Sequence, residues 1–321
     1  MQATSRVRFT APPHSSGRVR RADHTQRIRA TLSKYGANTV VTLMTDDMIR
    51  FFCRHLLGLG WYEGPVNERG EFTEEPTFHG ASGFLLQPHD GFPNFVCLVT
   101  AGHVRTEYAK RLSQPRIAGK NHSLLDIWGP RSTCSDRIPF DFMRAPALFD
   151  DDARAGLDYA IIALPDLVLR ALRQTTVPVR KQNWIHQPEL TFDFYAMLGL
   201  PLEVAQQMFL AQNGRKYVTT FQKPALIRLQ ECDLPAHCEP ATNPQFVARV
   251  HPGVSLDSVV GMSGGPIFGF RKNDDGHLGY WPVAVQSSWL PKSRIVRATS
   301  IPLLASLVEQ WIDETLKQGA I

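Results

Sequence analysis

Gly261-Met262-Ser263-Gly264-Gly265-Pro266 is the stretch on which the reading of this 321-residue chain turns. A serine among glycines is commonly a tight turn and nothing more. These glycines can do something specific, because glycine adopts positive φ without steric cost. A backbone that turns sharply here can aim the N–H groups of Gly261 and Ser263 at one point, and side chains at 261 or 264 would crowd the turn. Two such donors suit the oxyanion of a tetrahedral intermediate, where losing one costs about 10²–10³ in rate.

Two segments further out give the serine company. Val99-Thr100-Ala101-Gly102-His103-Val104 puts a histidine at the end of a buried strand. Gly156-Leu157-Asp158-Tyr159-Ala160-Ile161-Ile162-Ala163-Leu164 puts an aspartate at the mouth of an apolar run. Alone, the histidine reads as a polar strand end and the aspartate as a turn or capping residue. Together they supply what the serine lacks. A serine hydroxyl is a weak nucleophile at neutral pH and needs an imidazole to take its proton. A buried carboxylate then fixes the imidazole tautomer and stabilises the imidazolium. The constellation therefore assigns Ser263 as nucleophile, His103 as general base and Asp158 as the group that orients it.

The texture around these segments predicts an all-β body. Strands are expected within Gly83–Leu86, Phe95–Thr100, Tyr159–Leu164, Phe194–Leu198, Lys223–Leu229, Pro266–Phe270 and Trp281–Gln286, between turn signals. Short strands so punctuated suit barrels or a sandwich, and 23 glycines with 23 prolines agree. Before Gly80 the expectation is helical: Thr45 is a candidate N-cap, Met48, Phe52 and Leu56 recur at helical spacing, and Gly58 is a candidate stop. Residues 61–78 read as a polar connection. A closing helix begins near Pro302, with Leu304, Leu307, Val308, Trp311 and Ile312 on one face.

With these residues in view, the chain resembles the trypsin-like (chymotrypsin-fold) serine peptidases, in their disulfide-free, bacterial-type form. The resemblance covers about Gly80 to Leu316. It rests on Gly-x-Ser-Gly-Gly-Pro, on Thr-Ala-Gly-His, on the order His, Asp, Ser, on Gly80-Ala81-Ser82-Gly83-Phe84, and on Gly199-Leu200-Pro201 as the opening of a second barrel. That order differs from subtilisin-like and α/β-hydrolase enzymes. The resemblance implies two six-stranded antiparallel β-barrels, about 80–180 and 190–298, with a C-terminal helix at about 301–317. An N-terminal extension, helix and connection over 39–79, would precede them. It implies a serine endopeptidase working through an acyl-enzyme, with neither cofactor nor metal. Asp257, six residues before the nucleophile, matches the base of the primary pocket in members that cut after Arg or Lys. Ser287 falls on a segment similar to the one that pairs with substrate backbone. Met262 stands where zymogen-activated members carry an aspartate, so activation by a freshly cut N-terminus is not expected.

Charge and cysteine content bound the setting. Seven arginines and one acid, Asp23, occupy the first thirty residues, and the rest of the chain is close to neutral despite an overall +5. Residues 1–38 read as a disordered basic arm, an organelle transit peptide, or a contact to nucleic acid or another polyanion. Five scattered cysteines form no even disulfide framework, which favours a reducing, cytoplasmic setting. Cys232, His237 and Cys238 have no second ligand cluster to complete a zinc site. No apolar run is long enough to span a membrane. Two other functions compete with the peptidase: a catalytically silent protease fold serving as a binding module, and a nucleic-acid-associated protein using the arm, whose arginine-rich first thirty residues have only Phe9 for stacking.

Overall fold

The computed structural model describes residues 51–88, 95–126, 136–172, 176–180, 184, 191–212, 215–272 and 278–317. The basic arm lies outside them, as does most of the expected N-terminal helix.

Within the described residues the helical reading ends early. Phe51 and Phe52 are helical, Cys53–His55 form one tight 3-10 turn, and strand β1 (Leu56–Pro65) follows at once. Gly58 is not a helix stop. It lies in mid-strand, where an added Cβ would meet Leu200 Cδ1 at 2.8 Å and Leu125 Cβ at 3.0 Å. β1 is central and covered on both faces, so its sequence lacks the alternation that marks a half-exposed strand. The stretch expected to be a connection instead holds the end of β1 and the start of β2 (Thr77–Gln87), joined by a turn built on Asn67. The N-terminal sheet therefore begins at Leu56, not near Gly80.

The remaining elements of this half are β3 (Cys97–Thr100), α1 (His103–Leu112), β4 (Ile117–Asp126), β5 (Asp136–Pro139), β6 (Ala147–Asp152), β7 (Leu157–Ala163), α2 (Asp166–Leu172) and β8 (Val179–Arg180). The sheet runs β5-β4-β1-β2-β3-β7-β6, with β8 paired to β2. Among the described residues β5 and β6, at its two ends, do not pair, so no hydrogen-bonded ladder closes the barrel the sequence predicts. Side chains fill the interior instead: Phe140 and Phe142, just after β5, join Leu57, Leu59, Trp61, Leu98 and Ile162 in one buried cluster.

The second half does close. Its elements are β9 (Phe194–Gly199), β10 (Gln206–Gln212), β11 (Arg215–Phe221), β12 (Ala225–Glu231), β13 (Gln245–Val250), β14 (Pro266–Lys272), β15 (Leu278–Leu290), β16 (Ile295–Ser300) and α3 (Ile301–Lys317). Six of these strands form a closed barrel, β12-β13-β16-β15-β14-β9, and β10 with β11 make a separate hairpin between β9 and β12. α3 lays Ile301, Leu304, Val308 and Ile312 on a core shared with Phe84, Val99, Ile161 and Val285, so it bridges both halves. No helix among the described residues is long and apolar enough to cross a membrane.

His55 pins the halves together. Its Nδ1 lies 2.9 Å from Val177 O and its Nε2 2.9 Å from the Tyr280 hydroxyl. A carbonyl only accepts, so Nδ1 carries the proton and Nε2 accepts from Tyr280. Burial drives the His55 pKa down to about 4, against the raising effect of the Val177 bond. The folded ring stays neutral where the unfolded ring binds a proton, so its contribution is intact above about pH 6.5 and is lost as pH falls through 4. That loss should be about 3 kcal/mol. Urea melts at pH 7, 5.5 and 4 should show it. The variant His55→Gln, which keeps a donor and an acceptor but does not titrate, should flatten that limb.

Candidate active site

The His103 loop is shaped by the residue before it. Gly102 packs so tightly on β6 that a Cβ would come 1.9 Å from Asp150 O. With no room there for a side chain, the chain turns straight from β3 into α1 and starts the helix with His103.

Asp158, the second residue of β7, grips His103 twice. Its Oδ1 accepts the His103 backbone N–H at 2.9 Å and its Oδ2 accepts Nδ1–H at 2.7 Å. The backbone of Asp158 is in turn held from the barrel: its N–H donates to Thr299 Oγ1 at 3.0 Å, and the Thr299 hydroxyl donates to Asp158 O at 3.2 Å. This arrangement fixes Nδ1 as the protonated nitrogen and leaves Nε2 as the acceptor. Burial pulls the His103 pKa down. The Asp158 hydrogen bond and the charges of Asp158, Glu107 and Asp151 outweigh it and raise the pKa above the ordinary histidine value.

Ser263 sits on a turn with two left-handed glycines, Gly261 at φ +91° and Gly264 at φ +84°. Gly264 is wedged against the end of β3, where a Cβ would meet Thr100 Oγ1 at 2.2 Å and Ala101 N at 2.6 Å. The nucleophile candidate is thereby brought up against the residues that immediately precede His103. Ser82 of β2 locks the turn: its N–H donates to Ser263 O at 2.9 Å, and its hydroxyl donates to Gly261 O at 2.8 Å while accepting Leu200 N–H at 2.9 Å. Met262 N–H donates to Val259 O, and Gly264 N–H to Gln286 O. Among the described residues the N–H groups of Gly261 and Ser263 have no acceptor, and the half-buried Ser263 hydroxyl makes no hydrogen bond, to His103 or to any other group. Met262 is fully buried in the barrel core.

A groove of about 260 Å³ opens beside the pair, lined by His103, Glu107, Asp151, Asp158, Ser287 and Arg297 among others. Arg297 gives two N–H bonds to Gln245 Oε1, at 2.8 and 2.5 Å. Ser287 is buried, donates its hydroxyl to Arg297 O at 2.9 Å and lines the groove. Asp257 does not become a buried pocket carboxylate. It is exposed, because the Glu203 carboxylate accepts the N–H groups of residues 257 and 258 while Arg294 bonds Val254 O and Leu256 O. Those contacts hold the loop outward, and a match in motif position could not reveal them. Ser82, Thr299, Glu107 and Asp151 escape the sequence reading. Only Ser82, inside Gly80-Ala81-Ser82-Gly83-Phe84, had a signal to find. Among the described residues no three His, Cys, Asp or Glu side chains group as metal ligands.

Fold and site together define a mostly β protein whose two halves meet at a histidine–carboxylate pair and a glycine-rich serine turn. No protein-family model matches the chain, and no curated protein matches it. Among solved structures, it is similar to catalytically inactive tobacco etch virus protease complexed with substrate, at 10% identity and TM-score 0.34, over 78% of this chain and 81% of that one. It is also similar to the catalytically active protease complexed with product, at 10% identity and TM-score 0.35, over 78% and 74%.

The electrostatics can be read directly by histidine NMR. His103 should titrate above 6.5, fall toward that value in Glu107→Gln and Asp151→Asn, and fall furthest in Asp158→Asn. Gly264→Ala should destabilise the protein by about 2 kcal/mol or more, since alanine at positive φ is strained and here also collides with β3. Denaturant titration measures it.

Proposed function

We propose that the chain is a chymotrypsin-fold serine endopeptidase. The observation that carries the reading is the doubly gripped His103–Asp158 pair, with Nε2 left free to accept, next to a serine turn that leaves the Gly261 and Ser263 amides unused.

In this reading Ser263 Oγ attacks the scissile carbonyl carbon while its proton passes to His103 Nε2. The carbonyl oxygen becomes an oxyanion held by the Gly261 and Ser263 N–H groups. Collapse breaks the C–N bond. The proton on Nε2 goes to the leaving amine, and the acyl group stays on Ser263 Oγ. Water, deprotonated by Nε2, then attacks the ester; a second collapse releases the acid and returns the proton to Ser263. Asp158 holds the ring and stabilises its cationic form throughout. The Ser263 hydroxyl has no bond to the ring here, and such contacts commonly tighten only when substrate binds.

The barrel also offers a place for substrate backbone. Beyond Val285, β15 leaves β14, and Gln286 pairs with the backbone of Gly264 and Gly265. From Ser287 to Leu290 the strand pairs only with β16 among the described residues, which leaves one edge open beside the serine turn. An extended peptide can add there as a further strand.

A fluorophosphonate probe should label the full-length protein at Ser263, and Ser263→Ala should abolish labelling. Cleavage of casein-derived peptides should fall by about 10⁴ in Asp158→Asn. The acid limb of kcat/KM should lie above pH 6.5, because His103 must be neutral to act. A folded protein that neither labels nor cleaves would favour the silent binding module. A salt-dependent gel shift on RNA or DNA, lost on deleting residues 1–38, would support the basic-arm reading.

A further inference from the structure

The barrel holds an amide with unmet hydrogen-bonding capacity beside the serine turn. Gln286 is 1% exposed, and its Oε1 is buried with no hydrogen-bond partner among the described residues. Burying an amide oxygen unpaired is costly, so a native protein that keeps one calls for an explanation. The location supplies it. The main chain of Gln286 accepts from Gly264 N–H at 2.8 Å and donates to Gly265 O at 3.0 Å, the two residues that follow the nucleophile candidate.

The side-chain direction follows from the ladder. Gln286 stands opposite Ala298 on β16, and opposite residues of an antiparallel pair share a face. Ala284, two residues earlier on the same strand, shares it too. Both alanines belong to the barrel-interior core with Val259 and Met262, which flank Gly261 on the approach to the serine. The amide therefore faces the barrel interior, with Ala284 and Ala298 beside it, at the end that runs up to the turn.

Resting on the peptidase reading above, we propose that Gln286 is the specificity-determining residue for the side chain on the acyl side of the cut, and that it selects an uncharged hydrogen-bonding side chain. Glutamine, asparagine, serine and threonine can each meet the amide. A cationic side chain would meet no buried counter-ion: no Asp or Glu among the described residues of this half is buried, and Asp257 faces solvent. An ion placed against one neutral amide in an apolar barrel is strongly disfavoured. A wholly apolar side chain leaves the Oε1 unpaired, as it is now.

A peptide library varied at the residue that donates the attacked carbonyl, digested by the full-length protein and read by mass spectrometry, tests this. The wild type should prefer Gln, Asn, Ser or Thr there. Gln286→Met should lose that preference about tenfold in favour of Met and Leu, the effect of one neutral hydrogen bond. Gln286→Glu should shift cutting toward Lys and Arg. Fluorophosphonate labelling of each variant reports separately that the nucleophile is intact. Labelled variants with an unchanged profile would overturn the selector role and leave the peptidase standing. So would wild-type cutting after Arg or Lys that Asp257→Asn abolishes. A wild type that neither labels nor cuts would overturn the nucleophile assignment, and the selector with it.

Discussion

The buried Ser82 clamp is the contact on which the site depends. A turn with two positive-φ glycines has little regular hydrogen bonding of its own, and left alone it would sample many shapes. Ser82 removes that freedom from the opposite half of the molecule. Its amide and hydroxyl take the Ser263 and Gly261 carbonyls, its hydroxyl also takes the Leu200 N–H, and its own carbonyl accepts the Thr100 hydroxyl at 2.7 Å. Four bonds thus join β2, β3, Leu200 just after β9 and the serine turn, with no polar atom of Ser82 unused. Each is worth only about 1 kcal/mol, but breaking one leaves a buried partner unsatisfied, which costs about 1–3 kcal/mol.

Thr299 does the same in the opposite direction. It belongs to the barrel and holds the backbone of Asp158, whose carboxylate holds His103. The serine turn, a barrel element, is therefore registered by the N-terminal sheet, and the histidine–carboxylate pair, a sheet element, is registered by the barrel. Neither half sets the geometry alone. His55, between Val177 and Tyr280, and α3, packed on both cores, oppose the sliding that would disturb this double registration.

What the sequence reveals follows from how local each cause is. Ser263, His103 and the glycines beside them are legible because a tight turn and a close approach restrict residue type on the spot. β1 is not: a strand buried on both faces reads as an apolar run, and Gly58, kept small by Leu200 and Leu125, mimics a helix stop. Barrel closure in the second half is equally silent, since the pairing of β12 with β9 joins strands on either side of a separate hairpin. Asp257 shows the converse. Its motif position is suggestive, yet its exposure depends on Glu203, 54 residues away in sequence, and on Arg294. The pairing of Ser82 with residues about 180 positions on is long-range in the same way.

Two kinds of charge act on His103, and they differ in reach. Asp158 is largely buried and in direct contact, so salt screens it little. Glu107, 58% exposed and paired with Arg111, and the exposed Asp151 act through solvent and are screened. The buried partner therefore sets the tautomer and most of the basicity, while the rim adds a part that fades as ionic strength rises. A stronger base is a better proton acceptor but is neutral over less of the pH range. Placing the larger share on a buried carboxylate keeps the ring's orientation independent of the medium, and leaves only the fine position of its titration open to the surroundings.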